Sequence, residues 1–169
     1  MRNDRFNLIV SLALIASAAL ATPALAAPSR TLVGCNPAAA AKVIVATNAY
    51  RASLGLSHLT VVPKLSAFAI VHADDMAENA ILTHSSSTGQ SFAQRAYSSN
   101  YRFTSMRENV AVEGAPLPAS LGPNLWNLWR HSPEHDANMR ATDVTQIGVA
   151  VAAGKNGCYA SMELGSPRA

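Results

Sequence analysis

The stretch VTQIGVAVAAGKNGCYASMEL, residues 144–164, alternates in character twice. Ile147, Val149 and Val151 fall on one face of the first half, and Cys158, Ala160, Met162 and Leu164 on one face of the second, as period-two strands require. Between them AGKNG carries Asn156-Gly157, a dipeptide suited to the positive backbone angles of a tight hairpin. The chain is therefore predicted to end in an antiparallel hairpin with an apolar face, which other elements must cover.

Upstream, the period changes to that of helices. From Asn36 to about Leu54, Val43, Thr47, Tyr50 and Leu54 recur at helical spacing, with Asn36-Pro37 as cap and first position and Gly55 as terminator. A second helix is predicted from Pro63 to about Ala80, where Leu65, Phe68, Ala69, His72 and Met76 share a face and Asp74, Asp75 and Glu78 lie mostly elsewhere. His72 on that stripe reads as a hydrogen-bonded core histidine before it reads as a ligand. ILTHSSSTGQ, residues 81–90, is a turn-rich connection, and SFAQRAYSS after it suits a short helix. A brief strand is expected at Glu108 to Val112. GAPLPASLGP, residues 114–123, is too rich in Gly and Pro for regular structure, whereas NLWNLWRH, residues 124–131, reads as a short buried helix carrying Trp126 and Trp129. No internal repeat or low-complexity linker divides the chain.

The start has a different purpose. MRNDRF is followed by an apolar run from Leu8 to Leu20 and the small-residue site Ala24-Leu25-Ala26, which together form a secretory signal peptide over residues 1–26, too short to span a bilayer. Cleavage near Ala26 leaves residues 27–169 as a single domain, released or held in the periplasm. The formal charge of +3 falls by one when Arg2, Arg5 and Asp4 leave, too weak a balance for a nucleic-acid binder. No later run is long enough for a transmembrane segment, and a monomer is expected.

Two cysteines remain, Cys35 and Cys158. In an oxidising compartment their default is one disulfide, and closing so long a loop stabilises by about 4–5 kcal/mol on the chain-entropy view. A rival reading stands beside it: LVGC, residues 32–35, is similar to a lipoprotein lipobox, although Pro28, Ser29 and Arg30 separate it from the apolar run.

HSPEHDANM, residues 131–139, sets His131 and His135 four apart. On one helix that spacing seats zinc, but Ser132-Pro133 reads as a helix start, which leaves His131 outside. Proline also turns its preceding residue away from helical angles.

TNAYRASLGL, THS at 83–85, REN at 107–109, the Trp-x-x-Ser-Pro-x-His of 129–135 and TQIGVAVA at 145–152 occur in the order found in one family. Together they resemble the CAP superfamily of cysteine-rich secretory, antigen five and pathogenesis-related proteins, most closely its short bacterial secreted (SCP-like) branch, over roughly residues 40–164. His135 stands thirteen residues before Gly148, as that family's histidine does before the glycine of its central strand, and Arg95 and Asn138 fall where the bacterial branch has Arg and Asn. The resemblance implies an α+β fold, a three-layer α-β-α sandwich with a central antiparallel sheet. It also implies a cavity lined by His84, Glu108 and His135. Many eukaryotic members add a second glutamate three positions after a tryptophan and can hold zinc there. Here that position is Ser132, with Glu134 or Asp136 as the nearest substitutes, and Asp136 replaces the usual arginine.

Two imidazoles and a carboxylate can hold zinc or another divalent metal with an open position for water. The positive end of its helix favours neutral His135, whose lone pair is then available. Glu108 can equally orient a histidine by accepting its N–H, and the three residues can equally form a buried polar network. As a separate possibility, Ser85, His84 and Glu108 supply the residue types of a weak peptidase or esterase, without a nucleophile elbow. Some relatives bind sterols or fatty acids between helices, so the resemblance also allows a small apolar ligand, with GAPLPASLGP and the tryptophans as one border, or an extracellular partner. The reading that unites these features is a secreted binding module.

Overall fold

Along the chain run α1 (Pro37–Ser53), β1 (Thr60–Val61), α2 (Pro63–Asn79), α3 (Phe92–Ser98), β2 (Phe103–Glu113), α4 (Leu121–Arg130), α5 (Pro133–Arg140), β3 (Gln146–Gly154) and β4 (Gly157–Pro167). The structure, a computed structural model, describes Cys35 and residues 37–114 and 119–168. The expected signal peptide, the Asn36 cap and part of the Gly- and Pro-rich loop lie outside the described residues.

The C-terminal hairpin is the centre of the fold. β3 and β4 pair antiparallel from Gln146↔Gly165 to Gly154↔Gly157, so Lys155 and Asn156 form the loop and Gly157 already belongs to β4. β2 adds to the other side of β4, also antiparallel, and runs well beyond the expected five residues, from Phe103↔Pro167 to Glu113↔Cys158. The strand order is β1-β3-β4-β2. The sheet is mixed and not wholly antiparallel, because β1 pairs parallel with β3 through Thr60↔Gln146 and Val61↔Ile147. β1 is only two residues long and exposed, so it carries no alternation to read, and Pro63 starts α2 directly after it.

Both faces of the sheet are covered, and the strand period sorts the covering. Ile147, Val149, Val151, Cys158, Ala160, Met162 and Leu164, the face expected from sequence, meet Val43 of α1, Leu125 and Trp129 of α4 and Met139 of α5. The alternate residues Val110, Ala150, Ala152 and Tyr159 meet Ala69, Ala73, Met76 and Ala77 of α2. Small residues on this second face let α2 come close. At Gly148 a side chain would run into the backbone of Leu65 and Ser66, which fixes the start of α2 against β3.

α1 ends near its expected position, with Gly55 at φ 72° beyond it, but its buried stripe differs from the expected one. Arg51 is buried and Leu54 is exposed. The guanidinium donates to the carbonyls of Ser57, Met139 and Ala141, so a cation closes the C-terminal end of α5 and ties it to α1. α4 starts earlier than expected, at Leu121, because Pro123 falls in the first turn, where a missing N–H costs little. The lipobox reading is overturned: Cys35 and Cys158 form a disulfide, so the sulfur a lipid would need is already bonded. Among the described residues no helix is long and apolar enough to cross a membrane.

Candidate functional site

β2 brings the site together. Its alternation sends Glu108 to the α2 face and Arg107 and Asn109 to the α5 face, and the two directions serve different tasks. Asn109, fully buried, donates to the backbone carbonyl of His135 at 3.0 Å and accepts from Asn138 Nδ2 at 2.8 Å. Asn138 also donates to the carbonyl of Glu108, so α5 and the strand are fixed in mutual register. α5 begins at Pro133 after Ser132, as expected, and His131 closes α4 instead of joining that helix, so His131 and His135 share no helical face. The Ser132 hydroxyl makes no capping hydrogen bond.

On the other face, Glu108 is the hub. Its Oε1 accepts from His84 Nδ1 at 2.8 Å and its Oε2 from Arg95 at 2.6 Å. The glutamate side chain is 1% exposed and that of Arg95 7%, whereas His84 is 53% exposed. Arg95 also donates through two nitrogens to the carbonyl of His84, and its guanidinium lies over Phe68 and Phe92. It thus holds both the carboxylate and the loop that carries the histidine. A capping box between Ser91 and Gln94 starts the short helix that presents Arg95.

His72, buried as the α2 stripe suggested, donates through Nε2 to the carbonyl of Thr83 at 2.8 Å, and the same nitrogen stands 3.8 Å from Glu108. Burial lowers the pKa of His72, against the opposing charge of Glu108 and with the charge of Arg95 working the same way as burial. Behind Glu108, opposite it in the β2–β4 register, lies Glu163, wholly buried. Ser161 donates to Glu163 Oε1 at 2.9 Å. Burial, and then the negative charge of Glu108, push the Glu163 carboxyl far above the usual carboxylate range, so it remains protonated and donates to Glu108. Burial alone would also raise Glu108, but the His84 hydrogen bond and the Arg95 charge outweigh it and hold Glu108 ionised. His84 is raised by its hydrogen bond to Glu108 against the opposing effects of burial and Arg95. With Nδ1 committed to Glu108, His84 presents Nε2 outward.

His135 is half-buried, and its pKa is lowered first by burial and then by the charge of His84. Glu134, exposed on α5, lies near enough to both histidines to favour their protonated forms. Asp136 is not free to bind a metal, because Arg130 and Arg140 hold its two oxygens at 3.2 and 2.7 Å. Among the described residues no group of three or more His, Cys, Asp or Glu side chains is close enough to hold a metal. As placed, Glu108 orients His84 instead of standing beside it as a further ligand. Among the described residues no hydrogen bond joins the Ser85 hydroxyl to either histidine.

Of the residues singled out from sequence, the structure joins His84 to Glu108, with His72 close by; sequence reasoning missed Arg95 as the buried partner and Glu163 altogether, and it read His72 as core without its proximity to Glu108. Part of the loop expected to border a groove beside the tryptophans lies outside the described residues; Trp126 packs edge-on to Tyr50, and Trp129 is buried and donates to the carbonyl of Val110. A cavity of about 680 Å³ lies between α2 and α3, lined by Phe68, Val71, His72 and Arg95 among others.

Residues 44–164 match the CAP family, described as the cysteine-rich secretory protein family. No curated protein matches the chain. Among solved structures it is similar to an outer surface protein of Borrelia burgdorferi, with 23% identity and a TM-score of 0.67 over 78% of this chain and 94% of the other. It is also similar to an extracellular protein of Bacillus anthracis containing an SCP domain, with 22% identity and a TM-score of 0.64 over 77% of this chain and 41% of that one. A third similar structure is NaASP2 with Zn2+, at 14% identity and a TM-score of 0.57 over 79% and 86%.

Proposed function

The chain belongs to the cysteine-rich secretory protein (CAP) family, and on that premise we propose that it is a secreted or periplasmic binding module whose site is His84, held by Glu108, with His135 beside it. The observation that carries this reading is the hydrogen bond of 2.8 Å from His84 to a buried, ionised Glu108, which fixes the ring and leaves Nε2 facing solvent. The signal-peptide pattern and the disulfide support an extracytoplasmic location, as do similar proteins described as extracellular or outer-surface.

The donor set fits a divalent metal weakly. His84 Nε2 and His135 are the two nitrogens that would hold it, with Glu108 as the carboxylate that orients a metal-bound histidine and Glu134 as nearby negative charge. When bound, such a metal supplies an electrophilic position for a carboxylate, phosphate or water oxygen. Both imidazoles must be neutral to bind, and the raised pKa of His84 makes that binding weaken as pH falls. Zn2+ in NaASP2 is a property of that protein; for this chain the support is the pair of imidazoles.

Calorimetric titration of zinc into residues 27–169 tests the proposal. The expected result is one weak site lost in His84→Ala and in His135→Ala but retained in His131→Ala. Binding unaffected by both site variants, or absent from the parent protein, would overturn the metal reading. A hydrolase remains the second reading from the same residue types. It predicts turnover of peptide or ester substrates that disappears with Ser85→Ala.

A further inference from the structure

Away from His84, where α3 passes into β2, two adjoining cavities of about 270 and 610 Å³ share Asn100, Tyr101, Arg102 and Arg168. The strand ends bring the two arginines together: Phe103 is in register with Pro167, and Arg168 donates its backbone N–H to the carbonyl of Arg102 at 3.0 Å. Lys64, in the first turn of α2, stands on the opposite wall of the larger cavity. Lys64, Arg102 and Arg168 are all exposed, and among the described residues none of the three makes an ion pair. No Asp or Glu lines either cavity, and the first turn of α2 contains no acidic residue to offset its positive end.

The floor of this region is aromatic and rigid. Tyr101 is buried, donates its hydroxyl to Gln146 at 2.9 Å and lies against Gly165, where a side chain would strike its ring. Phe103 is nearly parallel to Tyr101 at 6.5 Å, and Tyr97 continues the row 5.4 Å from Phe103 while remaining 80% exposed. An exposed ring on a rigid aromatic base offers a flat apolar face, and the surrounding arginines offer forked donors for carboxylate or phosphate.

We infer that Tyr97, Arg102, Arg168 and Lys64 form a second binding site, for an anionic glycan. Sugar rings present C–H faces to Tyr97 while their acidic groups meet the three cations. The larger cavity shares Lys64 and Asn100 with the cavity between α2 and α3, so the site continues as a groove that accommodates an extended chain. The recessed shape disfavours a flat bilayer. The disulfide places the domain in an oxidising compartment, where acidic polysaccharides are available and nucleic acid is not the usual polyanion.

The test uses hexagalacturonate and a sulfated heparin hexasaccharide, titrated calorimetrically into the disulfide-intact protein at low salt. Fully methyl-esterified hexagalacturonate, a ten-nucleotide oligothymidylate and vesicles of phosphatidylglycerol with phosphatidylcholine serve as comparisons. At least one acidic hexasaccharide should bind and the methyl ester should not. The combined variant R102A/R168A should weaken binding about tenfold or more, Tyr97→Ala should weaken it several-fold, and added salt should weaken it further. Each of these side chains is exposed, so circular dichroism and the unfolding midpoint should be unchanged. His84→Ala should bind normally, which separates this site from the proposed metal cleft. Failure of both acidic hexasaccharides to bind, retention of affinity in R102A/R168A, or equal affinity for oligothymidylate or vesicles would overturn the inference.

Discussion

Replacing Glu108 by Gln keeps the shape of the side chain and removes its charge, which leaves the Arg95 guanidinium buried without a counter-ion. The pair is joined at 2.6 Å and the two side chains are 1% and 7% exposed, so solvent cannot screen the orphaned charge effectively. Removing one partner of such a pair costs about 3–5 kcal/mol. That is a large share of the roughly 5–15 kcal/mol that stabilises an ordinary domain, and it corresponds to a fall in Tm of roughly 10–20 °C. Arg95→Met should cost a similar amount, because Glu108 is then left ionised beside Glu163 and the carbonyl of His84 loses two donors. In the double variant no stranded charge remains, so its cost should fall short of the sum of the single costs by about 2–3 kcal/mol. Urea unfolding of the disulfide-intact protein at pH 7 measures all three, with the shift in midpoint interpreted at constant m. Strict additivity, or single-variant costs below about 1 kcal/mol, the value of an exposed pair, would refute the account of Glu108 and Arg95 as a buried ion pair.

Three further outcomes follow from the same geometry. Glu163 has a raised pKa, so the folded protein retains a proton that the unfolded chain releases in the ordinary carboxylate range; its contribution to stability is full below that range and declines as pH rises from it toward the raised folded pKa, and Glu163→Gln, which keeps a donor toward Glu108, should remove this decline in urea midpoints measured from pH 4 to 8. Persistence of the same slope in Glu163→Gln would show that another group is responsible. Gly148→Ala forces α2 away from β3 and should destabilise by about 3 kcal/mol in thermal unfolding, whereas a cost near zero would mean that Leu65 and Ser66 yield easily. C35S/C158S opens a closed loop spanning a sequence separation of 123 and should cost about 5 kcal/mol in urea unfolding, with an unchanged midpoint counting against the structural disulfide.

The parts of the fold that sequence revealed are those where burial imposes a period over many residues. Ile147, Val149 and Val151 announce β3 because every second residue meets α1, α4 and α5, and the α2 stripe from Leu65 to Met76 is recognisable for the same reason. β1 was illegible because two exposed residues have no pattern, and it is these two that make the sheet mixed. Arg51 lies off the stripe of Val43, Thr47, Tyr50 and Leu54 read from the sequence; only the carbonyls of Met139 and Ala141, distant in sequence, explain its burial. At the site, THS and REN drew attention to His84 and Glu108 through family resemblance, while Arg95 had no signal beyond its position. Glu163 did leave one. It alternates with Met162 and Leu164 on a strand covered on both faces, and a carboxyl there must be either paired or neutral.

That neutrality determines what the site can do. Two buried carboxyls share one buried cation, so a single negative charge is compensated and the other acid keeps its proton. Glu108, which holds the charge, then accepts from His84, Arg95 and Glu163 together. A carboxylate so fully engaged is a poor base and a poor nucleophile; its effect is exerted through the imidazole it orients. A Ser85 nucleophile would need Nε2 of that same imidazole, since Nδ1 is bound to Glu108, and among the described residues no hydrogen bond joins the Ser85 hydroxyl to it. The chemistry of the cleft therefore depends on what approaches Nε2 of His84 from solvent, and under the proposed metal reading the half-buried His135 would be its second nitrogen, available only where both imidazoles are neutral.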